Sequence, residues 1–417
     1  MTLNKKILNK KILEKKILDK RTPDTTFENK IATDIQNLRF SVIREMGAMA
    51  KGLTDVISLG IGEPDFDTPP GIIAKTFEDA RNGHTHYTQS QGDPELLEKL
   101  SQHISREIKV PVPSSSILVT HGAMGGLTAA FRTLLKPDDQ VIVVEPHFPD
   151  YLAHITLANG QICPVTASFE DQYIPRPEAI EKAINKKTKI LLLNSPNNPT
   201  GAVIPGDVLD KIAKIAIKHD LLVISDEVYD KIFFESPPES IYTRKGMDKR
   251  TLVIKSFSKT YAMTGWRLGY CFGPEAIISQ MLKVVNYSTA CASSISQRAA
   301  IAALEVDPNL LTTMKKRFEA RVDLVCNRLG KIPGIKLVRP KGAFYIFADI
   351  SEISSHSREF AIALLQEQHL SVVPGYAFGL SCDGCIRLAC TLERKQLSIA
   401  MDRLEAFISN YRESTAK

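Results

Sequence analysis

The sequence predicts an α/β fold. It has a large domain with a mostly parallel central sheet and helices on both faces, and a smaller α+β domain formed by the N-terminal segment and the C-terminal third. Three observations point there. Short apolar runs recur at Ile117–Thr120, Gln140–Val144, Ile190–Leu193, Leu221–Ile224, Thr251–Ile254 and Gly269–Phe272, and read as buried strands. Helix-length stretches such as Gly125–Leu135, Arg176–Ile184 and Asp207–His219 lie between most of them, the alternation of a parallel sheet. After about residue 300 the texture changes to a long helical stretch from about Asn309 to Leu329, strand-like pieces at Ile335–Val338, Ala343–Ala348, Leu370–Val373 and Cys385–Leu388, and a closing helix, Arg394–Ser409. The expected division is a basic arm at 1–26, a small domain from 27–67 and 305–417, and a large domain at 68–304.

With 417 residues, 43% hydrophobic and 24% charged, the chain has the mix of a globular protein rather than a disordered or fibrous one. Its net charge of +6 raises the question of a polyanionic partner. The surplus is confined to residues 1–21, and the remainder is neutral, so no nucleic-acid or membrane partner is expected. The arm repeats Lys-Lys-Ile-Leu every five residues, each unit followed by Asn9, Glu14 or Asp19. Each Ile-Leu pair turns by ~140° around a helix, so no single apolar face forms. A solvated arm and a lipid- or partner-binding segment both fit. Seven cysteines are too few for a disulfide scaffold, and no apolar run approaches the ~20 residues that span a bilayer. No signal-peptide core is visible and no metal site is expected, so the location expected is cytoplasmic.

Four segments carry chemistry. In Ser256-Phe257-Ser258-Lys259, the lysine falls just past a strand end, with Arg267 close behind. A buried lysine beside a cation has a lowered pKa and is an amine nucleophile; a surface lysine is the alternative. Ser225-Asp226-Glu227-Val228-Tyr229 ends another strand, where ligands of open α/β sheets bind. There Asp226 could ligate a metal, act as a base, hold a protonated ring nitrogen or simply cap a helix. The octet Asn194-Ser195-Pro196-Asn197-Asn198-Pro199-Thr200-Gly201 fixes an irregular loop after a third strand and presents the Asn198 amide to a phenolate or carboxylate. Finally, His121-Gly122-Ala123-Met124-Gly125-Gly126 puts small residues at a helix start, either a phosphate cradle or a packing turn.

Together these segments, in this order, resemble the fold-type I pyridoxal-phosphate enzymes, and specifically the class I/II (aspartate aminotransferase-like) aminotransferases. The likeness covers about residues 27–410. It is carried by the 194–201 octet, by Ser-Asp-Glu-Val-Tyr, and by Ser-Phe-Ser-Lys-Thr-Tyr-Ala-Met-Thr-Gly-Trp-Arg-Leu-Gly-Tyr at 256–270. The resemblance implies that Lys259 forms an aldimine with pyridoxal 5′-phosphate and then shuttles a proton. It implies that Asp226 partners the pyridinium nitrogen, and that Asn198 and Tyr229 hold the ring oxygen. Gly122, Ala123 and Met124 would bind the phosphate, with Ser256, Ser258 and Arg267; of the serines, Ser256 matches better. Phe148 stands where the family stacks an aromatic on the ring, and Tyr87 resembles a tyrosine that reaches across a homodimer to the neighbouring subunit's phosphate. Arg387 resembles the clamp for the substrate α-carboxylate, a task suited to a planar guanidinium, and Gly62 the glycine whose backbone lies against it.

One departure bears on the substrate. Asn286–Ser293, where the neighbouring subunit usually lines the side-chain pocket, has no Arg or Lys, and no lysine follows Met124 in the phosphate-loop helix. A neutral, aromatic or unusual amino donor is therefore expected over aspartate, with an amino acid and a 2-oxo acid as substrates. A β-lyase, or a synthase or decarboxylase, on the same fold is the alternative reading. An aminotransferase-like regulator is a remote one, since about 26 residues before the likeness leave little room for a DNA-binding domain. Cys382-Asp383-Gly384-Cys385, close to Arg387, is open between incidental thiols and a redox pair.

Overall fold

A computed structural model describes residues 30–38 and 40–415; the basic arm expected at 1–26 lies outside them. Two units divide between residues 39 and 40. The described part of the first holds a short helix, Thr33–Asn37. The sheets and the cavity between their strand ends belong to the second, Phe40–Lys417.

The main sheet has seven strands in the order Ile117–Thr120, Gly269–Phe272, Thr251–Ser256, Leu222–Asp226, Thr188–Asn194, Gln140–Glu145, Gln161–Thr166. Gly269–Phe272 runs antiparallel to both neighbours, and every other pairing is parallel. The apolar runs form strands because both faces are covered. Ile190 and Leu192 point to one face, where they meet Leu127 and Phe131 of the helix Gly122–Leu134 and Ile278 of the helix Glu275–Thr289. Leu191 and Leu193 point to the other, against Leu209, Ile212 and Ala216 of the helix Gly206–Lys218. The pairing register sets Asn194 opposite Asp226, and Asp226 opposite Ile254. The strand ends are thereby level, and the loops that leave them open onto one shared space.

A second sheet orders Val373–Pro374, Cys385–Ala389, Tyr345–Asp349 and Lys336–Leu337, all antiparallel. Ile346, Ile386 and Leu388 of this sheet cluster with Val322 and Val325 of the helix Pro308–Leu329, with Phe360 and Leu364 of Ser357–Gln368, and with Leu397 and Leu404 of Arg394–Thr415. Arg387 sits in an interior strand, opposite Phe347 on one side and Val373 on the other.

The expected strands are present, with two differences. Gln161–Thr166 has no counterpart among the strands expected from sequence; it is the edge strand, with half of its residues exposed. Pro164 lies within it, and an edge tolerates a residue with no N–H to give. The single strand expected at Leu370–Val373 is two: Leu370–Ser371 pairs in parallel with Ile57–Ser58, while Val373–Pro374 joins the second sheet. A run of apolar residues does not show where a chain changes partner.

Gly269 is where the sheet meets the start of the helix Gly122–Leu134. A β-carbon there would come within 2.6 Å of the Lys255 carbonyl oxygen and 2.9 Å of the Ala123 nitrogen, both backbone atoms. Gly269→Ala is expected to cost about 1–3 kcal/mol of stability, read as a lower urea midpoint at unchanged m-value. An unshifted midpoint would show that strand and helix part freely.

Candidate active site

A cavity of about 340 Å³ opens beyond the carboxyl ends of the strands that finish at Asn194, Asp226 and Ser256, the position where open α/β sheets bind ligands. Gly62, Ala123, Met124, Phe148, Asn198, Asp226, Tyr229, Ser256, Ser258, Lys259, Arg267 and Arg387 all line it. Gly122 adjoins it, against the Arg267 guanidinium. Tyr87 does not join them in this single chain, where it is 89% exposed.

Lys259 belongs to the four-residue helix Phe257–Thr260, and the Ser256 hydroxyl caps that helix by accepting from the Ser258 N–H at 3.1 Å. The Lys259 ammonium donates to the Gly62 carbonyl at 2.6 Å. Burial lowers its pKa to about 8, and the positive charges of Arg267 and Arg387 push the same way against Glu63. The amine is thus much closer to losing its proton at neutral pH than an exposed lysine.

Asp226 is the last residue of its strand and fully buried. It accepts from the Tyr151 hydroxyl at 2.6 Å and from the Val228 N–H at 3.2 Å. Burial nevertheless raises its pKa to about 6. No Lys or Arg among the described residues pairs with it. A buried carboxylate without a cation is costly, and a protonated ring nitrogen is a group that would satisfy it.

Arg387 shows the opposite sign. It is 1% exposed, yet its partners are neutral: the Asn198 side-chain oxygen at 3.0 Å, the Gly60 carbonyl, and the Tyr345 ring, centred 4.6 Å from the guanidinium. Its Nε has no partner, and burial lowers its pKa. This guanidinium fits a carboxylate brought from outside. The Tyr229 hydroxyl lies 2.9 Å from that of Tyr345, at the same end of the cavity.

At the other end the first turn of the helix Gly122–Leu134 leaves N–H groups without carbonyl partners. Gly122 begins the turn with φ +64°, and Arg267 lies over it, also in the left-handed region at φ 54°. A helix N-terminus and a guanidinium facing one another, with the Ser256 and Ser258 hydroxyls beside them, suit a phosphate. The donor set fits pyridoxal phosphate at each of its polar groups.

Sequence reasoning missed several residues. Tyr151 stands three positions after Phe148, whose ring it meets edge-on at 5.5 Å, so helical spacing from that segment was a usable signal. Asn194 opens the proline-rich octet. Its side chain accepts from the Asn198 N–H at 2.8 Å and donates to the Asp226 carbonyl at 3.0 Å, tying the loop to the next strand. Tyr345 comes from the second sheet and had no local signal. Arg44, from the helix Val42–Ala50, is a lining cation that no motif pointed to. Cys382 and Cys385 are free thiols; burial pushes Cys382 up to about 12 and Cys385 higher, so both stay protonated at neutral pH.

The same motifs place the chain among known proteins. The sequence pattern of the family described as aminotransferase class I and II matches residues 54–404. The chain is similar to an aspartate aminotransferase of Pyrococcus abyssi, 38% identical over 369 residues that cover 88% of this chain and 95% of that one. It is similar to the aromatic-amino-acid aminotransferase 2 of Thermococcus litoralis, 37% identical with the same coverage. Among solved structures, the aspartate aminotransferase from Thermus thermophilus with maleate superposes with a TM-score of 0.87 at 34% identity, over 90% of this chain and 99% of that one. Identity at this level across nearly the whole length shows common descent as well as common fold, and the cofactor of the family is the one whose polar groups the cavity matches. The chain belongs to the class I and II aminotransferases and is a pyridoxal-phosphate-dependent aminotransferase.

Proposed function

We propose that this aminotransferase takes its amino group from a donor with a neutral or aromatic side chain, in preference to aspartate, and passes it to a 2-oxo acid. The observation that carries the assignment of roles is the set of buried charges without counter-charges, Asp226 and Arg387, around an amine whose pKa is lowered to about 8. Bound pyridoxal phosphate supplies an aldehyde and an electron-withdrawing ring. Lys259 is the residue that would link to it and that would then carry a proton from the substrate Cα to the former aldehyde carbon. Asp226 holds the ring nitrogen protonated. Asn198 and Tyr229 bind the ring oxygen, and Phe148 covers the ring. The N–H groups of Gly122, Ala123 and Met124 hold the phosphate, with Ser256, Ser258 and Arg267. Arg387 and the Gly62 backbone orient the substrate carboxylate.

The donor preference is supported by the absence of Arg or Lys from 286–293, and by the apolar Ile61 beside Gly62 in the cavity lining. The name of the Thermococcus relative agrees with it; the name of the Pyrococcus relative favours the second reading, an aspartate donor. We further propose a homodimer in which Tyr87 of the partner subunit completes the phosphate site. Tyr87 and Tyr287, both 89% exposed on the isolated chain, are large side chains that such an interface would cover. The division into domains at 68–304, and at 27–67 with 305–417, belongs to the same proposal: the two larger sheets fall one in each. A cytoplasmic location is in keeping with seven free thiols.

Three outcomes are expected. Lys259→Ala abolishes turnover and the visible absorbance of the bound cofactor; a variant that still turns over at the wild-type rate rules out the role given to Lys259. In a panel of amino donors against 2-oxoglutarate and pyruvate, kcat/KM is highest for a neutral or aromatic amino acid, and a value for aspartate above all of these would sink the donor reading. The third concerns the cofactor-free protein, in which Asp226 holds its proton up to about pH 6 instead of the ordinary 3.8. Between those values the folded chain binds more protons than the unfolded one. Stability therefore falls as pH rises through this window, by roughly 3 kcal/mol, and stays lower above it. Asp226→Asn should raise the melting temperature at pH 7 and leave it unchanged below pH 4. A lower melting temperature at pH 7 would show that the carboxylate is compensated after all.

A further inference from the structure

The roles assigned so far leave Tyr345 unused, although it touches three residues of the site. Its strand, Tyr345–Asp349, brings it there from the second sheet. It stands opposite Ala389, and Phe347 opposite Arg387, so Tyr345 and Arg387 are diagonal neighbours on one face. The ring lies 4.6 Å from the Arg387 guanidinium. The hydroxyl packs on the Gly62 backbone, where a β-carbon would collide with it, and sits 2.9 Å from the Tyr229 hydroxyl. Both tyrosines are buried and both line the cavity. Tyr229 is held edge-on by the Phe344 and Tyr345 rings, each centred 5.6 Å away. Those rings fix where its oxygen lies, but an O–H bond still rotates.

The two hydroxyls hold two protons, since burial raises both phenols and both stay protonated at neutral pH. Neither hydroxyl has another hydrogen-bond partner among the described residues. Their mutual bond uses one proton and leaves the other free for a group in the cavity. If Tyr229 is to give its proton to the ring oxygen, the bond between the two must run from Tyr345 to Tyr229. We infer that Tyr345 is a positioning residue of the reaction: its hydroxyl donates to that of Tyr229 and thereby turns the Tyr229 proton toward the cofactor. The inference rests on the role proposed for Tyr229 and adds what fixes its direction. A hydroxyl that accepts a bond is also a better donor, so Tyr345 strengthens the hold on the ring oxygen without touching it.

The test is spectroscopic and uses the holoenzyme, with the visible absorbance of the bound cofactor followed across pH. A donor to the ring oxygen favours the high-pH form, in which the charge of that oxygen is not offset by a neighbouring proton. Tyr345→Phe keeps a ring over Arg387 and removes only the hydroxyl. It is expected to raise the midpoint of the absorbance change by about 0.5 pH unit, the scale of one neutral hydrogen bond felt through another. Tyr229→Phe is expected to raise it further, and Tyr345→Phe to add nothing in that background. If Tyr345→Phe does not fold, para-fluorophenylalanine in place of Tyr345 fills the volume of the hydroxyl without its proton and carries the same expectation. A midpoint that falls shows Tyr345 to be the acceptor, and one that stays shows that its bond is not felt. Either overturns the inference, as does an equal rise in the Tyr229→Phe background. If Tyr229→Phe itself leaves the midpoint in place, the role given to Tyr229 fails as well.

Discussion

A carboxylate buried without a cation is the constraint on which the site depends. Charge is not generally left uncompensated in this fold. Next to Asp226 in sequence, Glu227 is also buried, but it accepts from Ser225 and Ser240 and faces Lys255 at 3.7 Å. Lys255 is 5% exposed and bonds Asp230 at 2.7 Å and Glu107 at 3.0 Å. Glu227 follows the last residue of the strand and its partners differ from those of Asp226, so the two belong to different surroundings. One is matched by groups of the chain itself, and the other is matched only by two neutral donors. The mismatch marks where a charged ligand group is required, and it marks it without reference to any motif.

Keeping such a group ionisable takes support from several elements. Tyr151 comes from the helix after Glu145, Val228 from the turn beyond the strand, and Asn194 from the neighbouring strand. The parallel register makes these meet, because it sets Asn194 and Asp226 side by side. The second sheet is tied into the same place. Arg387 reaches Asn198 from one side and Gly60 from the other, while Lys259 holds Gly62. The strip from Gly60 to Asp65 is in turn fastened by Arg321, which grips Asp65 with two bonds of 2.7 Å and lies over the Phe66 ring. Such a fork fixes direction as well as distance. The carbonyls that hold both the lysine and the arginine are therefore positioned by a residue more than 250 positions away.

This explains what was legible in the sequence and what was not. The strands and the loop residues just past them were legible because each signal is local: an apolar run, then a hydroxyl, carboxylate, amide or lysine at a fixed step. Lys259, Asp226, Asn198 and the Gly122 turn all belong to that class. Tyr345 was not legible, since its place beside Tyr229 is created by the fold of a distant sheet across 116 residues. Arg44 was not legible for the same reason. The edge strand Gln161–Thr166 was hidden by Pro164, which interrupts the run and which only an edge tolerates. Tyr87 was legible by likeness alone, and the isolated chain leaves it in solvent.

The lysine shows why the motif and the reactivity are separate questions. Ser-x-x-Lys after a strand identifies the residue, but nothing in those four positions sets its proton affinity. Burial does so first, and burial is a property of the whole cavity. The charges that modify it come from Glu63 on the N-terminal strip, from Arg267 eight residues on, and from Arg387 in the second sheet. Removing the positive charge of Arg387 would favour protonation of Lys259 as well as weaken the hold on a substrate carboxylate. Conversely, a carboxylate arriving at Arg387 offsets that charge and favours the protonated lysine. In the roles proposed for Arg387 and Lys259, carboxylate binding and the proton state of the lysine are coupled through one guanidinium, because the two sheets close on the same strip of backbone.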